Sequence, residues 1–335
     1  MNAKLTLLEA LPAGFFDLET DHILDLFPTP TLLHLKGDKP AALFVSILLH
    51  GNEYSGLKAV QAILHKYRDH LPRSMFIFIG NVEAAAQGLR VLPGHTDFNR
   101  CWPGTEMEPN AETDLMQQVI DTVTQQDLFA AIDIHNNTGT NPHYACMTDV
   151  TRDNQHLAAM FNHIALVFKR PKGVSTMAFD GVCPAVTLES GKPGEPTGIH
   201  HASELLDALL HIDHFPQREI AAHDLQLVQS LATVNIADDV SFDFNLSAQA
   251  DLTFEPGFER KNFTELKPTD VFAITRVPDP LRVTNQQGED VRDEIMRIEN
   301  GRIYFNKTLM PAMITPDKSI IRQDCLCYLL VDYAQ

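Results

Sequence analysis

The sequence predicts an α/β fold in which a mixed, largely parallel sheet lies between layers of helices and a smaller β-rich domain follows. In the first two-thirds of the chain, short apolar stretches with strand character alternate with amphipathic stretches of helical periodicity. The remaining residues show strand patterns and turn signals instead. All fifteen histidines fall between His22 and His223, so chemistry that needs imidazole belongs to the first part. We therefore predict a catalytic domain over residues 1–222 and a β-rich domain over residues 223–335.

Strands and helices alternate along the predicted catalytic domain. Buried apolar runs predict strands over 31–35, 41–49, 75–79, 130–134 and 182–188. Apolar residues at helical spacing predict helices over 56–67, 113–126, 154–165 and 202–214. Thr113 is the candidate N-cap of the second helix, and the Gly-Asp-Lys-Pro segment between the first two strands predicts a hairpin. Helices that alternate with apolar strands favour a largely parallel sheet covered on both faces.

The predicted β-rich domain carries its clearest signal near residue 300. Asn300-Gly301 separates the segments EIMRIE and RIYFN, and this dipeptide between strand-like segments is typical of a two-residue hairpin. Strand character is also predicted over 240–244, 270–277, 292–299 and 319–333.

The composition is typical of a soluble globular protein, with 44% hydrophobic and 21% charged residues. No apolar run approaches the roughly 18 residues that a membrane-spanning helix needs. A net charge of −18 argues against nucleic acid and anionic membranes as partners, because the field of the protein repels both. A small anionic substrate remains compatible if arginines reverse the potential locally. Five cysteines without a CxxC pair predict reduced thiols and a cytoplasmic protein, and no feature predicts the oligomeric state.

The first candidate metal-binding motif is His50-Gly51-Asn52-Glu53. The histidine follows a buried strand, and the glutamate lies about one turn later, where a helix is predicted to start. Side chains three residues apart at such a junction can converge on one ion, although the spacing also fits a structural role. The same spacing recurs at His201 and Glu204. No strand leads into that second pair, and we interpret it as part of a solvated helix face.

A second predicted strand ends at His135, which polar residues follow. In α/β sheets, ligands gather at the carboxyl ends of strands, so His135 is expected near His50 and Glu53. Two histidines and one carboxylate leave the fourth position of a tetrahedral zinc ion open, as in catalytic sites. We therefore predict one Zn²⁺ per chain. Asp133 lies on the same strand face as His135 and is either an outer partner of a ligand or a buried structural carboxyl.

The candidate general base is Glu189, which ends a third predicted strand before the turn at Ser190-Gly191. A carboxylate beside the ion can accept the proton of the attacking water and pass it to a leaving nitrogen. Glu195 competes for this role, but its Pro/Gly-rich loop favours a solvated position. Arg90 and Arg100 are candidate cations for substrate and transition-state charge, although both also fit ordinary surface positions.

Five motifs occur along the chain in the order HGNE, GLR, DFNR, DIHN and LESG. This ordered set resembles the succinylglutamate desuccinylase/aspartoacylase family of the zinc carboxypeptidase clan over roughly residues 40–215. The resemblance implies a mixed sheet sandwiched between helices, followed by a smaller β-rich domain. It also implies that His50, Glu53 and His135 bind zinc.

The same resemblance implies roles for residues around the ion. Arg90 would polarise the scissile carbonyl and stabilise the oxyanion, and Glu189 would serve as general base and then acid. Asn99 and Arg100 would hold the carboxylate of a small anionic substrate. The family also places a C-terminal tyrosine near the substrate. Tyr304 and Tyr144 are the candidates for that tyrosine, and neither lies in a matching motif.

These features predict a zinc-dependent amidohydrolase that cleaves the amide bond of a small N-acyl amino acid. The alternatives are a metallocarboxypeptidase that acts on short peptides or cell-wall fragments, and a metal-binding module without turnover. The chain contains none of the motifs GxGxxG, GxxxxGK[ST] and GxSxG, which disfavours nucleotide-dependent enzymes and the common serine hydrolases.

Overall fold

The computed structural model describes residues 4–333, which form two compact units. The first unit comprises the described residues up to Asn136 together with His143–Gln226. The second comprises Asn137–Pro142 and the described residues from Leu227 onward. Among residues 4–333, no helix has both the length and the apolar character needed to cross a membrane.

The first unit alternates strands and helices. Its strands are β1 (Thr6–Leu8), β2 (Thr31–Leu35), β3 (Lys39–Ile47), β4 (Arg73–Ile79), β5 (Leu128–His135), β6 (Tyr144–Met147), β7 (Ile164–Val167) and β8 (Ala185–Glu189). Its α-helices are α1 (Ile23–Leu26), α2 (Ser55–Lys66), α3 (Val82–Ala85), α4 (Ala111–Val123), α5 (Arg152–Phe161), α6 (Ser175–Ala178) and α7 (Pro196–His211). Short 3₁₀ turns lie at Phe15–Asp17, Thr20–His22 and Phe98–Arg100.

The strands of the first unit form one mixed sheet in the order β1-β2-β4-β3-β5-β8-β6-β7. The β2–β4 and β6–β8 pairs are antiparallel and the others are parallel, which confirms the predicted mixed, largely parallel sheet. Helices cover both faces, because alternate residues of a strand point in opposite directions. Phe44 packs in a cluster with α4, whereas Ile47 lies against Gly56 of α2.

The predicted hairpin between the first two strands is wrong. β4 lies between β2 and β3, antiparallel to the first and parallel to the second. The turn that follows β2 bonds to the chain leading into β4: Asp38 N donates to the carbonyl of Leu71, and Lys39 N donates to that of Pro72. The turn signal in the sequence was genuine, but it does not specify which strand pairs with which.

Two helix boundaries also differ from the prediction. Asn110, not Thr113, is the N-cap of α4, and the two residues form a reciprocal capping box in which each side chain accepts the backbone N–H of the other. The predicted helix over 154–165 stops at Phe161, and residues 164–167 form β7 instead. The β-branched and apolar residues of that strand continue the hydrophobic pattern, which hid the boundary.

The second unit is rich in strands. They are β9 (Gln226–Ile236), β10 (Phe242–Asp243), β11 (Leu252–Thr253), β12 (Val271–Thr275), β13 (Leu281–Asn285), β14 (Met296–Glu299), β15 (Arg302–Phe305), β16 (Met310–Ala312) and β17 (Cys327–Asp332). Strands β13, β9, β17 and β16 pair antiparallel in that order. A five-stranded sheet has the order β10-β11-β12-β15-β14. The smaller β-rich C-terminal part of the predicted fold is thereby confirmed.

The hairpin at residue 300 is present, with Glu299 opposite Arg302. Asn300 and Gly301 have φ values of 50° and 72°, as a type I′ turn requires. Two predicted strands of this unit begin instead as helices, α8 (Arg292–Ile295) and α9 (Lys318–Gln323). Asp317 caps α9 by accepting the backbone N–H groups of Ser319 and Ile320, a local interaction that overrides strand propensity.

Candidate metal centre

The three predicted metal ligands lie together at the carboxyl end of the first unit's sheet. β3 and β5 are parallel neighbours with Ile47 opposite Ile134, so both strands end at the same edge. His135 is the last residue of β5, and His50 and Glu53 lie in the turn between β3 and α2. One ligand atom from each of the three residues lies within 4.8 Å of the others. All three side chains are buried.

The turn that carries His50 and Glu53 depends on Gly51. A Cβ at this position would lie 2.2 Å from the backbone nitrogen of Ala85, so only glycine permits the close approach of α3. Gly51 N also donates to the carbonyl of Arg90, 3.1 Å away. Leu48, just before the motif, has a φ of 56°, a strained conformation for a branched side chain. The surrounding packing holds this turn in a shape that the local sequence alone disfavours.

The Glu53 carboxylate lies between the two imidazoles. His50 Nδ1 is 2.8 Å from Glu53 Oε1, and His135 Nδ1 is 2.8 Å from Glu53 Oε2. Asn136 N donates to Oε2 over 3.0 Å, and Arg90 donates to Oε1 over 3.2 Å. Burial alone would raise the pKa of Glu53, but His50 and His135 hold it well below its usual range. Glu53 is therefore an ionised carboxylate, as a metal ligand must be.

A second carboxylate lies within hydrogen-bond distance of the Nε2 atom of each imidazole. His50 Nε2 lies 3.1 Å from Asp97 Oδ1, and His135 Nε2 lies 2.9 Å from Asp133 Oδ2. Ser46 Oγ donates to the other oxygen of Asp133 over 2.6 Å. This is the carboxylate–histidine arrangement that orients metal-binding imidazoles. Sequence reasoning left the role of Asp133 open and missed Asp97, although Asp97 opens the DFNR motif.

The donor set fits a divalent cation. A neutral imidazole that donates its Nε2–H to a carboxylate keeps only a lone pair at Nδ1. Both Nδ1 atoms then face acceptor oxygens of Glu53 at 2.8 Å, an arrangement that needs a positive charge among them. Without a cation, a proton on His135 supplies that charge: burial lowers the pKa of His135, but Asp133 and Glu53 raise it well above its usual range. Two nitrogens and one carboxylate are the ligand types of catalytic zinc.

Glu189 ends β8 directly opposite His135 in the parallel β5–β8 pair. Its side chain is buried, and burial raises the pKa of Glu189 to about 7; His135 opposes this shift and Glu53 adds to it. A carboxyl that titrates near neutral pH can accept a proton and return it within one reaction cycle. The strand register thus places a buried carboxyl with a pKa of about 7 opposite a candidate metal ligand.

The three remaining predicted residues surround the same cluster. Arg90, 15% exposed, bonds to Glu53 and lies 3.8 Å from Asp97. Asp97 Oδ1 accepts the backbone N–H of Asn99 over 2.7 Å, and Asn99 Nδ2 lies 3.5 Å from His135 Nε2. Arg100 donates to the carbonyl of Asn99 over 2.7 Å. Burial would raise the pKa of Asp97, but His50, Arg100 and Arg90 lower it, so Arg90 and Arg100 belong to one electrostatic cluster with Asp97.

Other residues singled out in the sequence lie elsewhere. The second HxxE pair is not a simple solvated face, because His201 stacks on Phe161 and its Nδ1 lies 2.9 Å from His143 Nδ1. Glu195 is exposed. Of the two tyrosines, Tyr144 is buried opposite Glu189 in the β6–β8 pair, and Tyr304 lies on β15 of the second unit.

Residues 41–214 match the family model described as the succinylglutamate desuccinylase/aspartoacylase catalytic domain. No curated protein sequence matches the chain. Among solved structures, succinylglutamate desuccinylase from Chromobacterium violaceum aligns with 88% of this chain and 86% of its own, at 16% identity and a TM-score of 0.57.

Two further solved structures are similar. The succinylglutamate desuccinylase/aspartoacylase from Rhodobacter sphaeroides is 12% identical over 90% of this chain and 88% of its own, with a TM-score of 0.58. Murine aminoacylase 3 is 15% identical over 88% of this chain and 96% of its own, with a TM-score of 0.52. At these identities the likeness establishes a shared fold.

Proposed function

Since the chain belongs to the succinylglutamate desuccinylase/aspartoacylase family, we propose that it is a zinc-dependent hydrolase that cleaves the amide bond of a small N-acyl amino acid. The observation that carries the proposal is the convergence of His50, Glu53 and His135 within 4.8 Å, with Glu189 in register beside His135. The names of the similar structures, desuccinylases and an aminoacylase, support an N-acyl amino acid as substrate.

His50, Glu53 and His135 would hold the ion. When bound, a zinc ion supplies Lewis acidity toward the substrate carbonyl and lowers the pKa of water. Asp97 and Asp133 accept the Nε2–H groups of the two histidines and so leave both Nδ1 lone pairs available to hold a cation.

Glu189 is the proton carrier of the proposed reaction. It accepts a proton from the attacking water while the new C–O bond forms, and it then delivers that proton to the amide nitrogen as the C–N bond breaks. The products are a carboxylic acid and an amine, and at neutral pH the acid's proton passes to the amine to give a carboxylate and an ammonium group. A pKa near 7 suits both transfers, because neither protonation state of the carboxyl is strongly favoured at neutral pH.

Arg90, Asn99 and Arg100 would handle substrate charge. Arg90 lies beside Glu53, and we propose that it donates to the carbonyl oxygen as negative charge develops there. Arg100 and Asn99 would anchor the substrate carboxylate, which a planar guanidinium grips with two parallel hydrogen bonds. In a chain of net charge −18, such a local cluster of cations is what allows an anionic substrate to bind.

A substrate panel on the zinc-loaded protein tests the proposal. We expect about one zinc per chain, together with hydrolysis of N-succinyl-glutamate or N-acetyl-aspartate in preference to a dipeptide. The Glu189→Gln variant should lose activity by about 10²–10⁴-fold while it still binds zinc. Zinc-loaded Glu189→Gln that remains as active as wild type would reject the mechanism, and hydrolysis of dipeptides alone would favour a metallocarboxypeptidase.

A further inference from the structure

The segment Asn137–Pro142 directly follows the metal-binding strand. It is joined on one side to His135 and Asn136, whose backbone N–H bonds to Glu53 over 3.0 Å. The Asn136 side chain also donates to the carbonyl of Gly191 over 3.0 Å, in the turn after Glu189. On its other side the segment leads into β6, whose first residue pairs with Glu189. The segment is therefore continuous in the chain with the end of β5 and the start of β6, which carry His135 and the partner of Glu189.

This segment groups with the second unit, in which Asn262 holds it. Asn262 Nδ2 donates to the carbonyl of Thr140 and to that of Ile314, each over 2.9 Å. Its Oδ1 accepts the backbone N–H of Ile314 over 2.8 Å. The side chain is 7% exposed, so these hydrogen bonds are shielded from competing water. Asn262 thus fastens the loop of the metal-binding strand to the chain segment around Ile314.

Further contacts fix the same segment. A Cβ on Gly139 would lie 1.9 Å from the carbonyl oxygen of Ile314, so the backbones approach as closely as glycine allows. Asn141 Oδ1 accepts the backbone N–H of Met313 over 3.2 Å, and Glu259 Oε2 accepts that of Thr140 over 2.9 Å. Together with the hydrogen bonds of Asn262, these contacts restrain the segment Asn137–Pro142.

Residues next to Asn262 and Ile314 also have strained backbone conformations. Within residues 4–333, four residues other than glycine have a positive φ: Leu48, Phe263, Asn300 and Met313. Phe263 follows Asn262 and Met313 precedes Ile314, so two of these four residues are direct neighbours of the hydrogen-bonded pair. Strained conformations persist where the surrounding structure over-determines them, and they cluster at functional sites.

We propose that Asn262 is a positioning residue for the metal centre. By holding Asn137–Pro142, it fixes the backbone N–H of Asn136 against Glu53 and the orientation of His135 at the end of β5. The inference rests on the proposed function only in naming the centre as a metal site.

The first test measures amide hydrogen exchange in the metal-free protein. In Asn262→Ala, we expect the Asn136 and Thr140 amides to exchange about tenfold faster than in wild type. The matched control is Asn235→Ala, which removes another asparagine of the second unit whose Nδ2 donates to a carbonyl, that of Asp324, over 2.8 Å. The control should leave Asn136 protection unchanged. Equal exchange of Asn136 in the two variants overturns the inference.

The second test measures zinc affinity by competition with a chelator. Loss of a direct hydrogen-bond partner of a metal ligand typically weakens metal binding by roughly 10–100-fold. Asn262 bonds to Thr140 and not to a ligand, so we expect the lower end of that range, about tenfold, for Asn262→Ala and no change for Asn235→Ala. If Asn262→Ala does not fold, Glu259→Ala replaces it as a milder variant, because it removes the acceptor of the Thr140 N–H and leaves the hydrogen bonds of Asn262 in place. Zinc affinity equal to that of the control contradicts the inference.

The two tests separate this inference from the proposed function. If the wild-type protein binds no zinc, the proposed function fails, and exchange at Asn136 in the metal-free protein still decides whether Asn262 positions the cluster. If wild type binds zinc and hydrolyses its substrate but Asn262→Ala matches the control in every measurement, the function stands and the inference fails. A positioning role further predicts that kcat falls more than KM rises, since Asn262 contacts no group assigned to the substrate.

Discussion

At the scale of single residues, the candidate site is a set of carboxylates with different surroundings. Glu53 bonds to two imidazoles, a guanidinium and a backbone N–H, whereas Glu189 is buried and its pKa is raised to about 7. Asp97 contacts the Nε2 atom of His50, and Asp133 contacts that of His135. In the proposed function, these different environments suit Glu53 to metal binding, Glu189 to proton transfer, and Asp97 and Asp133 to the orientation of the histidines.

The raised pKa of Glu189 predicts how the stability of the metal-free protein depends on pH. Its pKa in the folded state, about 7, lies above the ordinary value of 4.5, so the folded protein binds this proton more tightly than the unfolded chain does. Stability contributed by the protonated carboxyl is fully present below about pH 4.5 and is lost as the pH rises through 7. As the pH rises between these limits, the free energy of unfolding of Glu189→Gln should therefore increase by roughly 3 kcal/mol relative to that of the wild type.

Urea denaturation of chelator-treated protein at pH 5 and pH 8 measures this difference. Glu195→Gln serves as the control, because Glu195 is exposed. A stability difference between Glu189→Gln and wild type that is the same at both pH values would show that Glu189 does not titrate as described.

The carboxylates behind the histidines predict a graded loss of metal affinity. Asp133→Ala removes the acceptor of His135 Nε2 and should weaken zinc binding by roughly 10–100-fold. Ser46→Ala removes the hydrogen bond to the far oxygen of Asp133 and a longer one to Ser175 Oγ, but it leaves the Asp133 carboxylate facing His135, so its effect should be smaller. Isothermal titration of the two variants checks the order. A larger loss in Ser46→Ala than in Asp133→Ala would contradict the assigned roles.

At the scale of secondary-structure elements, Arg73 fastens the end of α7 to the sheet. Its guanidinium donates to the carbonyls of Leu209, Ala41 and Ile212, and it lies 3.8 Å from the centroid of the Phe129 ring. The last carbonyls of a helix have no partner within the helix, and a buried arginine supplies several donors at once. The residue is buried, so water cannot replace these bonds.

Removal of this arginine should destabilise the first unit. Arg73→Ala leaves buried carbonyls without donors and removes the contact with Phe129, and we expect a loss of roughly 2–4 kcal/mol in the free energy of unfolding. Arg73→Lys should recover part of that loss, because an ammonium donates but cannot match three directions in one plane. Chemical denaturation of the purified variants measures both. If the free energy of unfolding of Arg73→Ala lies within about 0.5 kcal/mol of the wild-type value, these contacts do not stabilise the first unit.

At the scale of the whole molecule, the net charge of −18 opposes the approach of an anionic substrate. Salt screens this long-range repulsion more than it screens the short-range contacts of Arg90 and Arg100. We therefore expect kcat/KM for a dianionic N-acyl amino acid to rise as ionic strength increases from about 0.01 to 0.15 M. The control is the same measurement with a substrate in which an uncharged carboxamide replaces the carboxylate. A fall with added salt would mean that local attraction dominates the encounter.

Local sequence was sufficient for most of the elements and for the identity of the candidate ligands. Helical spacing marks α2, and the Asn-Gly dipeptide marks the β14–β15 hairpin, because these signals arise between residues close in the chain. A histidine or glutamate just after an apolar strand indicates a ligand, because strand ends meet at one edge of an α/β sheet. The α/β class, the mixed sheet and the β-rich C-terminal part followed from these patterns.

Tertiary structure alone decided which distant residues became partners. β4 separates β2 from β3, Asp97 supports His50, and Asn262 holds the segment Asn137–Pro142. Each of these relations joins residues far apart in the chain, and no local periodicity or turn signal encodes it. Strand order and side-chain partnership depend on the free energy of packing the whole chain, which many long-range contacts determine together.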